Sequence, residues 1–160
     1  MLNSILPVKR LSTSGNNQES LRVITFKVMD YVFALPIELV IKIALCPNIN
    51  HPLQQGVGIV DLESETIALL DLSYKFANSA NQLTTRLEQS RHFLIVAHTK
   101  TGEPCGFLVD NAPCLQEIPV STIRPLPYSY RQVAGLEFVN RIGELNQTSL
   151  NQAIEAKVFI

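Results

Sequence analysis

Residues 56–76, GVGIVDLESETIALLDLSYKF, constrain the chain more than any other stretch. Two short apolar runs, 58–62 and 66–72, flank a tight polar turn, Glu63-Ser64-Glu65. Ile and Val crowd the first run, and apolar residues dominate both, so the stretch predicts a β-hairpin buried on at least one face. The second run ends in Leu-Asp-Leu, followed by Ser73-Tyr74-Lys75-Phe76. No catalytic pattern lies in it, which makes it a structural centre and a docking surface.

The same pattern recurs on either side. Residues 21–28, LRVITFKV, alternate, with Ile24, Phe26 and Val28 on one face and Thr25 and Lys27 on the other. Met29-Asp30 makes a turn, and residues 31–37, YVFALPI, return with Tyr31, Phe33, Leu35 and Ile37 together. Pro36 cannot donate a ladder hydrogen bond, so this strand ends or bulges there. Over residues 39–45 the β-branched density favours a strand over a short helix. Its expected inward row is Leu39, Ile41, Ile43 and Leu45, with Val40, Lys42 and Ala44 outward. Residues 46–55, with two prolines and two asparagines, are a loop.

Residues 1–20 are polar and read as a floppy leader. Residues 77–90 are polar again and read as an exposed connection with one helical turn. Beyond them, residues 91–99 and 105–111 form a second hairpin around Gly102, and residues 115–119 a shorter extended piece. Pro125 and Pro127 rule out regular structure over residues 123–127. Residues 132–139 look like one more strand. Leu150, Ala153 and Ile154 have helical spacing after a possible cap at Ser149.

Nine or ten short strands with turns every 8–12 residues and little helix argue for an all-β barrel or sandwich. Two hairpin-based halves argue for two small barrels sharing a core, one over about residues 21–76 with its closing strand from the C-terminal part, the other over about 91–145. Closure also removes the exposed edges that many short strands create. The length, 160 residues, fits one such domain, and 46% hydrophobic residues supply a sizeable core.

A net charge of −1 carries no electrostatic footprint for nucleic acid and no polybasic membrane patch. No apolar run approaches the roughly 20 residues needed to span a bilayer. The N-terminus places charge after a very short apolar stretch, the reverse of a secretory signal, so a cytosolic location is expected. Cys46, Cys105 and Cys114 lack metal-like spacing and read as buried small hydrophobes, with a Cys105–Cys114 disulfide as the alternative.

His92 and His98 lie six residues apart on one strand, roughly 20 Å, too far to share a metal. With His51, in a proline-rich loop, they read as surface or loop residues. Asp61, Asp71 and Asp110 sit in or beside apolar runs, where an aspartate ordinarily fixes a turn. No nucleophile has a recognisable setting and no glycine-rich phosphate loop exists, so no cofactor or metal is expected and binding remains. A small-ligand or hydrolytic β-barrel using Asp110 and His98 is the reading from another class.

Four pieces, in order, resemble the CheW family of chemotaxis coupling proteins. Residues 31–37, then Val40-Ile41-Lys42-Ile43, resemble the family's "Y-G-(I/L)-x-I … V-x-E-I". Residues 58–72 match "G-V-x-N-L-R-G-x-(I/V)-x-P-(I/V)-(I/V)-D-L" without a gap, with Phe76 fitting the following "R-F". Residues 105–111 resemble "V-G-(I/L)-(I/L)-V-D-x", and residues 123–127 "I-x-P-x-P". The resemblance runs from about residue 21 to 154. It implies two intertwined five-stranded barrels of SH3-like shape, with short helical segments at the linker and C-terminus. It further implies no enzyme activity and a bridge between the regulatory domain of the kinase CheA and the cytoplasmic tip of methyl-accepting receptors. The family binds kinase through strands of the first barrel and receptor through the groove between barrels.

On that resemblance the partner-binding positions are Val40, Lys42, Ile43, Gly58, Asp61, Glu63, Ser64, Val109 and Asp110. Asp61 stands for the family's Asn and Ser64 for its Gly. Glu63 stands for an Arg and Lys42 for a Glu, so two charges are exchanged. Residues 145–150 replace an apolar run, which implies a poorly closed second barrel or a loop. The implied role is an adaptor. A divergent member serving pilus motility, or one that titrates the kinase without receptor coupling, is the alternative.

Overall fold

The computed structural model describes residues 18–49, 53–76, 92–132, 136, 139–149 and 152–159. Among the described residues, eleven strands are distributed between two sheets. β1 (Ser20–Val28) and β2 (Tyr31–Pro36) form the first hairpin, closed by Met29 in the left-handed region at φ 54°. β3 (Val40–Leu45) follows a 3-10 turn at Ile37–Leu39. β4 (Val57–Leu62) and β5 (Glu65–Asp71) are the central hairpin, and the short helix α1 (Ser73–Phe76) succeeds it. β6 (Phe93–His98) and β7 (Pro104–Val109) form the next hairpin. β8 (Cys114–Pro119), β9 (Arg124–Pro125), α2 (Tyr128–Arg131), β10 (Arg141–Ser149) and β11 (Gln152–Phe159) complete the chain.

The six-stranded sheet runs β8-β1-β2-β11-β10-β9 and the five-stranded sheet β3-β6-β7-β5-β4. The first hairpin therefore lies with the C-terminal strands, and the chain crosses between sheets after Pro36 and again after β7. Pro36 is where β2 stops, as its missing N–H requires. β11 closes the exchange by pairing in parallel with β2, Val158 opposite Val32 and Phe159 opposite Phe33.

Three apolar clusters account for the layering. The largest lies between the sheets and joins Ile24, Phe26, Phe33 and Leu35 of one to Ile95, Ala97 and Val109 of the other. The second lies on the far face of the five-stranded sheet, from Val60, Leu62, Ile67, Leu69, Leu94, Val96 and Leu108. The third lies on the far face of the six-stranded sheet, where Val23, Ala34, Ile118 and Leu145 meet. The middle of the β1–β2 hairpin is thus buried on both faces, Thr25 included, while Arg22 and Lys27 reach solvent, and its alternation there marks two cores rather than core and solvent. The fold is mostly β, as expected; one sheet has the five strands that the resemblance implies for each barrel and the other has six.

Several local expectations differ from the structure. The C-terminal segment is not helical. β10 and β11 pair antiparallel over eight registers, from Ile142↔Phe159 to Ser149↔Gln152. The polar run after Leu145 is strand, neither loop nor an open end, because ladder hydrogen bonds satisfy its backbone whatever its side chains. Arg124 and Pro125 form a two-residue ladder with β10 despite the flanking prolines. Gln132, Leu136 and Val139 lie outside any strand. The leader up to residue 17, His51 and the connection from 77 to 91 fall outside the described residues.

A candidate docking site on the margins of the five-stranded sheet

β3 and β4 are the two edges of the five-stranded sheet. At β3 the expected register is inverted. Ile41, Ile43 and Leu45 are exposed, and Val40, Lys42 and Ala44 are only half-exposed. A bulge between Val40 and Lys42 shifts the register by one residue. Val40 lies opposite Ala97 and packs on the core between the sheets, whereas Lys42 and Ala44 lie opposite Val96 and Leu94 on the other face. Val40 and Lys42 therefore do not share a face. Alternation identifies which residues go together. It cannot detect a bulge, and hydrophobicity favoured the wrong row because the exposed row is the more apolar.

β4 repeats the arrangement. Val60 and Leu62 are buried, and Val57, Ile59 and Asp61 face outward. The five aliphatic side chains on these margins are between 41% and 61% exposed. The middle of the same face, formed by Ile95, Ala97 and Val109, is covered by the six-stranded sheet. The apolar face is complete in its centre and bare at its edges.

The two edges meet at one end. Lys42 Nζ lies 3.2 Å from Glu63 Oε2, across from β3 to the β4–β5 turn. A five-stranded sheet whose edges approach to this distance is curled, and the bare margins flank its seam. The lysine stem runs along the inner face while the ammonium reaches the solvent-exposed carboxylate. The two positions whose charges depart from the resembled pattern are therefore in contact. Glu63 holds its place at φ 58°, in the left-handed region, a conformation that costs a non-glycine residue about 1–2 kcal/mol. Next to it, Thr66 Oγ1 donates to Asp61 Oδ1 at 2.6 Å, and Ser64 and Glu65 are exposed. The hairpin tip is acidic.

Gly58 is half-buried beneath Leu53, whose side-chain tip occupies the space a Cβ would need. Val109 is 2% exposed and belongs to the core between the sheets, so its side chain is not presented to a partner. Asp110 lies beyond the other end of β7 from the hairpin tip. Its Oδ1 is 3.1 Å from His92 Nδ1. His92 is buried, contrary to the surface position expected of it, and its carbonyl accepts from the Cys46 N–H at 2.8 Å. Lys42, Asp61, Glu63 and Ser64 are thus brought together, while Val109 and Asp110 stand apart from them.

Neither a hydrolytic pair nor a metal cluster is assembled here. His98 lies opposite Pro104 and Phe93 opposite Val109. That sets His98 and Asp110 at opposite ends of the β6–β7 ladder, roughly 20 Å apart. His98 is exposed, with Nδ1 3.1 Å from the Gly102 carbonyl. No group of three or more His, Cys, Asp or Glu is placed to hold a metal among the described residues. Asp71 fixes a turn, accepting from the Ser73 backbone N–H at 3.0 Å to start α1. All three cysteines are free: Cys105 is buried, Cys46 half-buried and Cys114 exposed. Among the described residues, no helix is long and apolar enough to cross a membrane.

The exposed aliphatic row on β3 and β4 was the feature sequence reasoning missed. The signal was present, since an edge strand with more apolar residues than one core face can absorb must expose a row. It lacked the knowledge that β3 is an edge.

The crystal structure of the scaffolding protein TtCheW from Thermoanaerobacter tengcongensis has the same fold, with a TM-score of 0.57, 17% identity and coverage of 88% of each chain. A comparison with curated proteins by sequence finds no match. The family model for the CheW-like domain matches residues 22–153. With that match over most of its length, and with the two-sheet architecture above, the chain belongs to the CheW-like domain family.

Proposed function

We propose that the chain is a non-catalytic adaptor of a chemosensory array, acting in the cytoplasm at receptor assemblies. One surface holds the regulatory domain of a CheA-type histidine kinase and another the cytoplasmic tip of a methyl-accepting receptor. Holding both at once raises their effective concentration and makes the kinase receptor-responsive. The observation that carries this reading is the Lys42–Glu63 pair at 3.2 Å. It brings together the two positions at which this chain departs from the pattern it resembles, Lys42 for Glu and Glu63 for Arg. An exposed ion pair adds only about 0–1 kcal/mol to stability, so the contact supports an interface role better than a structural one.

Co-sedimentation with the cognate kinase and a receptor cytoplasmic fragment, each alone and together, tests it. The adaptor reading expects kinase and receptor in one pellet only when the chain is present. Failure to bind every cognate kinase regulatory domain removes it.

The departure at the hairpin tip favours a second reading, a divergent member for pilus-type motility or a kinase-titrating protein without receptor coupling. Glu63→Arg with Ser64→Gly restores the family's tip, and Lys42→Glu must accompany it, because an arginine would otherwise face Lys42. If the tip is the cause, the triple variant gains receptor binding. If receptor binding stays flat, this reading loses its motive.

A further inference from the structure

We infer that the chain's own leader docks on the bare margins of the five-stranded sheet, with Lys9 and Arg10 at the acidic hairpin tip and the apolar residues before them along the exposed strip. The contact is internal to the chain and holds whichever partner the adaptor serves.

The exit point of the leader sets its reach. Gln18 donates from Nε2 to Ser121 Oγ at 3.4 Å, and the Glu19 carbonyl accepts from the Val120 N–H at 2.9 Å. The start of β1 packs against the 3-10 turn Ile37–Leu39, which leads directly into β3. The leader therefore departs beside the end of β3 from which Lys42 reaches Glu63. Between Gln18 and Arg10 an extended chain spans up to about 28 Å, well beyond the roughly 7 Å step from the head of β3 to Lys42.

The order of chemistry along the leader matches the order along the surface. Counting back from Gln18, residues 12–17 are polar, Arg10 and Lys9 are basic, and Val8, Leu6, Ile5 and Leu2 are apolar. Outward from the head of β3 come the exposed carboxylates Asp61, Glu63 and Glu65, then the exposed aliphatic residues Ile43, Leu45, Ile59 and Val57. Three carboxylates against Lys42 leave two net negative charges at the tip, and the leader, with no Asp or Glu before Glu19, carries two basic side chains. Leu6 and Val8 have the two-residue spacing of Ile59 and Val57, so an extended leader brings both to one face. A second copy offers the same complementarity only from solution, whereas a tether of residues 11–17 supplies it at about millimolar effective concentration. Any protein that uses the strip competes with the leader.

Disulfide trapping in the full chain tests the contact, in a background of Cys46→Ala with Cys114→Ser and with circular dichroism to check each fold. Val8→Cys is paired in turn with Ile59→Cys on the strip and with Leu115→Cys on β8. Leu115 is exposed and lies four residues from the Pro119 that faces Ser20, so an undocked leader meets it at least as readily. Docking expects the Ile59 pair to close about tenfold faster or more under oxidised glutathione. Lys9→Glu with Arg10→Glu should remove that advantage, and adding Asp61→Lys with Glu65→Lys should return it. Equal rates at Ile59 and Leu115 overturn the docking, and an advantage indifferent to the charge swaps overturns the role of the tip. A disulfide-linked dimer in place of the intramolecular product assigns the strip to the leader of a second copy and overturns the internal contact. In the unaltered chain, methyl NOEs from Leu6 or Val8 to Ile43 or Ile59 are expected, and their absence overturns the docking should any variant fail to fold.

Discussion

Gly56 sits at φ +76°, where its carbonyl accepts from the Asp71 N–H at 2.8 Å and starts the central hairpin. A Cβ there would lie 2.6 Å from the Tyr74 Cβ and 3.0 Å from the Asp71 carbonyl. Neither atom is the end of a flexible side chain, so backbone must move. Gly56→Ala is expected to destabilise by about 2–4 kcal/mol in urea titration, combining the left-handed penalty with the clash. Glu63 shows the converse, a side chain retained in a glycine conformation. Glu63→Gly relieves the backbone and Glu63→Ala does not, though both remove the contact with Lys42. The glycine variant should therefore be the more stable of the two by about 1 kcal/mol. Equal stabilities would mean that the turn relaxes out of the left-handed region. Burial pushes the Cys46 and Cys105 thiols up from their ordinary range, and Cys114 is exposed. At pH 8 a thiol reagent should modify Cys114 first and the other two at the pace of unfolding. Simultaneous reaction of all three would contradict this packing.

At the scale of elements, the two edge strands differ from the central ones. β6 and β7 are buried on both faces and read as continuous apolar runs. β4 buries part of one row and β3 half-buries one, and both leave the other row to solvent. The bulge in β3 sets which row is which. The Lys42–Glu63 contact between these edges is open to a double-mutant cycle with Lys42→Ala and Glu63→Ala. An exposed pair predicts a coupling of about 0.2–1 kcal/mol in stability. A clearly larger coupling in kinase-domain affinity than in stability would place the contact in the interface. Equal couplings would make it a structural clasp of the seam.

For the whole molecule, the cluster between the sheets decides cooperativity. Ile95 is fully buried there, against residues from β1 and β2. Ile95→Ala should destabilise by about 2–5 kcal/mol, the range for a buried aliphatic truncation. Because strands of both sheets share that cluster, and because β11 binds back to β2, the sheets should unfold in one transition. Fluorescence probes on β4 and β10 should give coincident urea curves. Separated midpoints would show that each sheet stands alone.

The sequence by itself determined β1 to β7 as strands, from alternation or from short apolar runs between turns, together with the stop at Pro36 and the family's motif order. Those features are local, since period two, proline's missing donor and turn residues act within a few positions. It read the C-terminal strands as helix or loop, because a polar strand held by ladder hydrogen bonds leaves no hydrophobic trace. Lys42 opposite Glu63 was visible only as two unusual charges, 21 positions apart. The tertiary structure decided that they touch, that a bulge turns Ile43 and Leu45 outward, that Val109 is core and that His92 is buried. Each of these depends on which strand lies at an edge and which face another sheet covers. Pairing between distant segments settles both, and no local pattern records it.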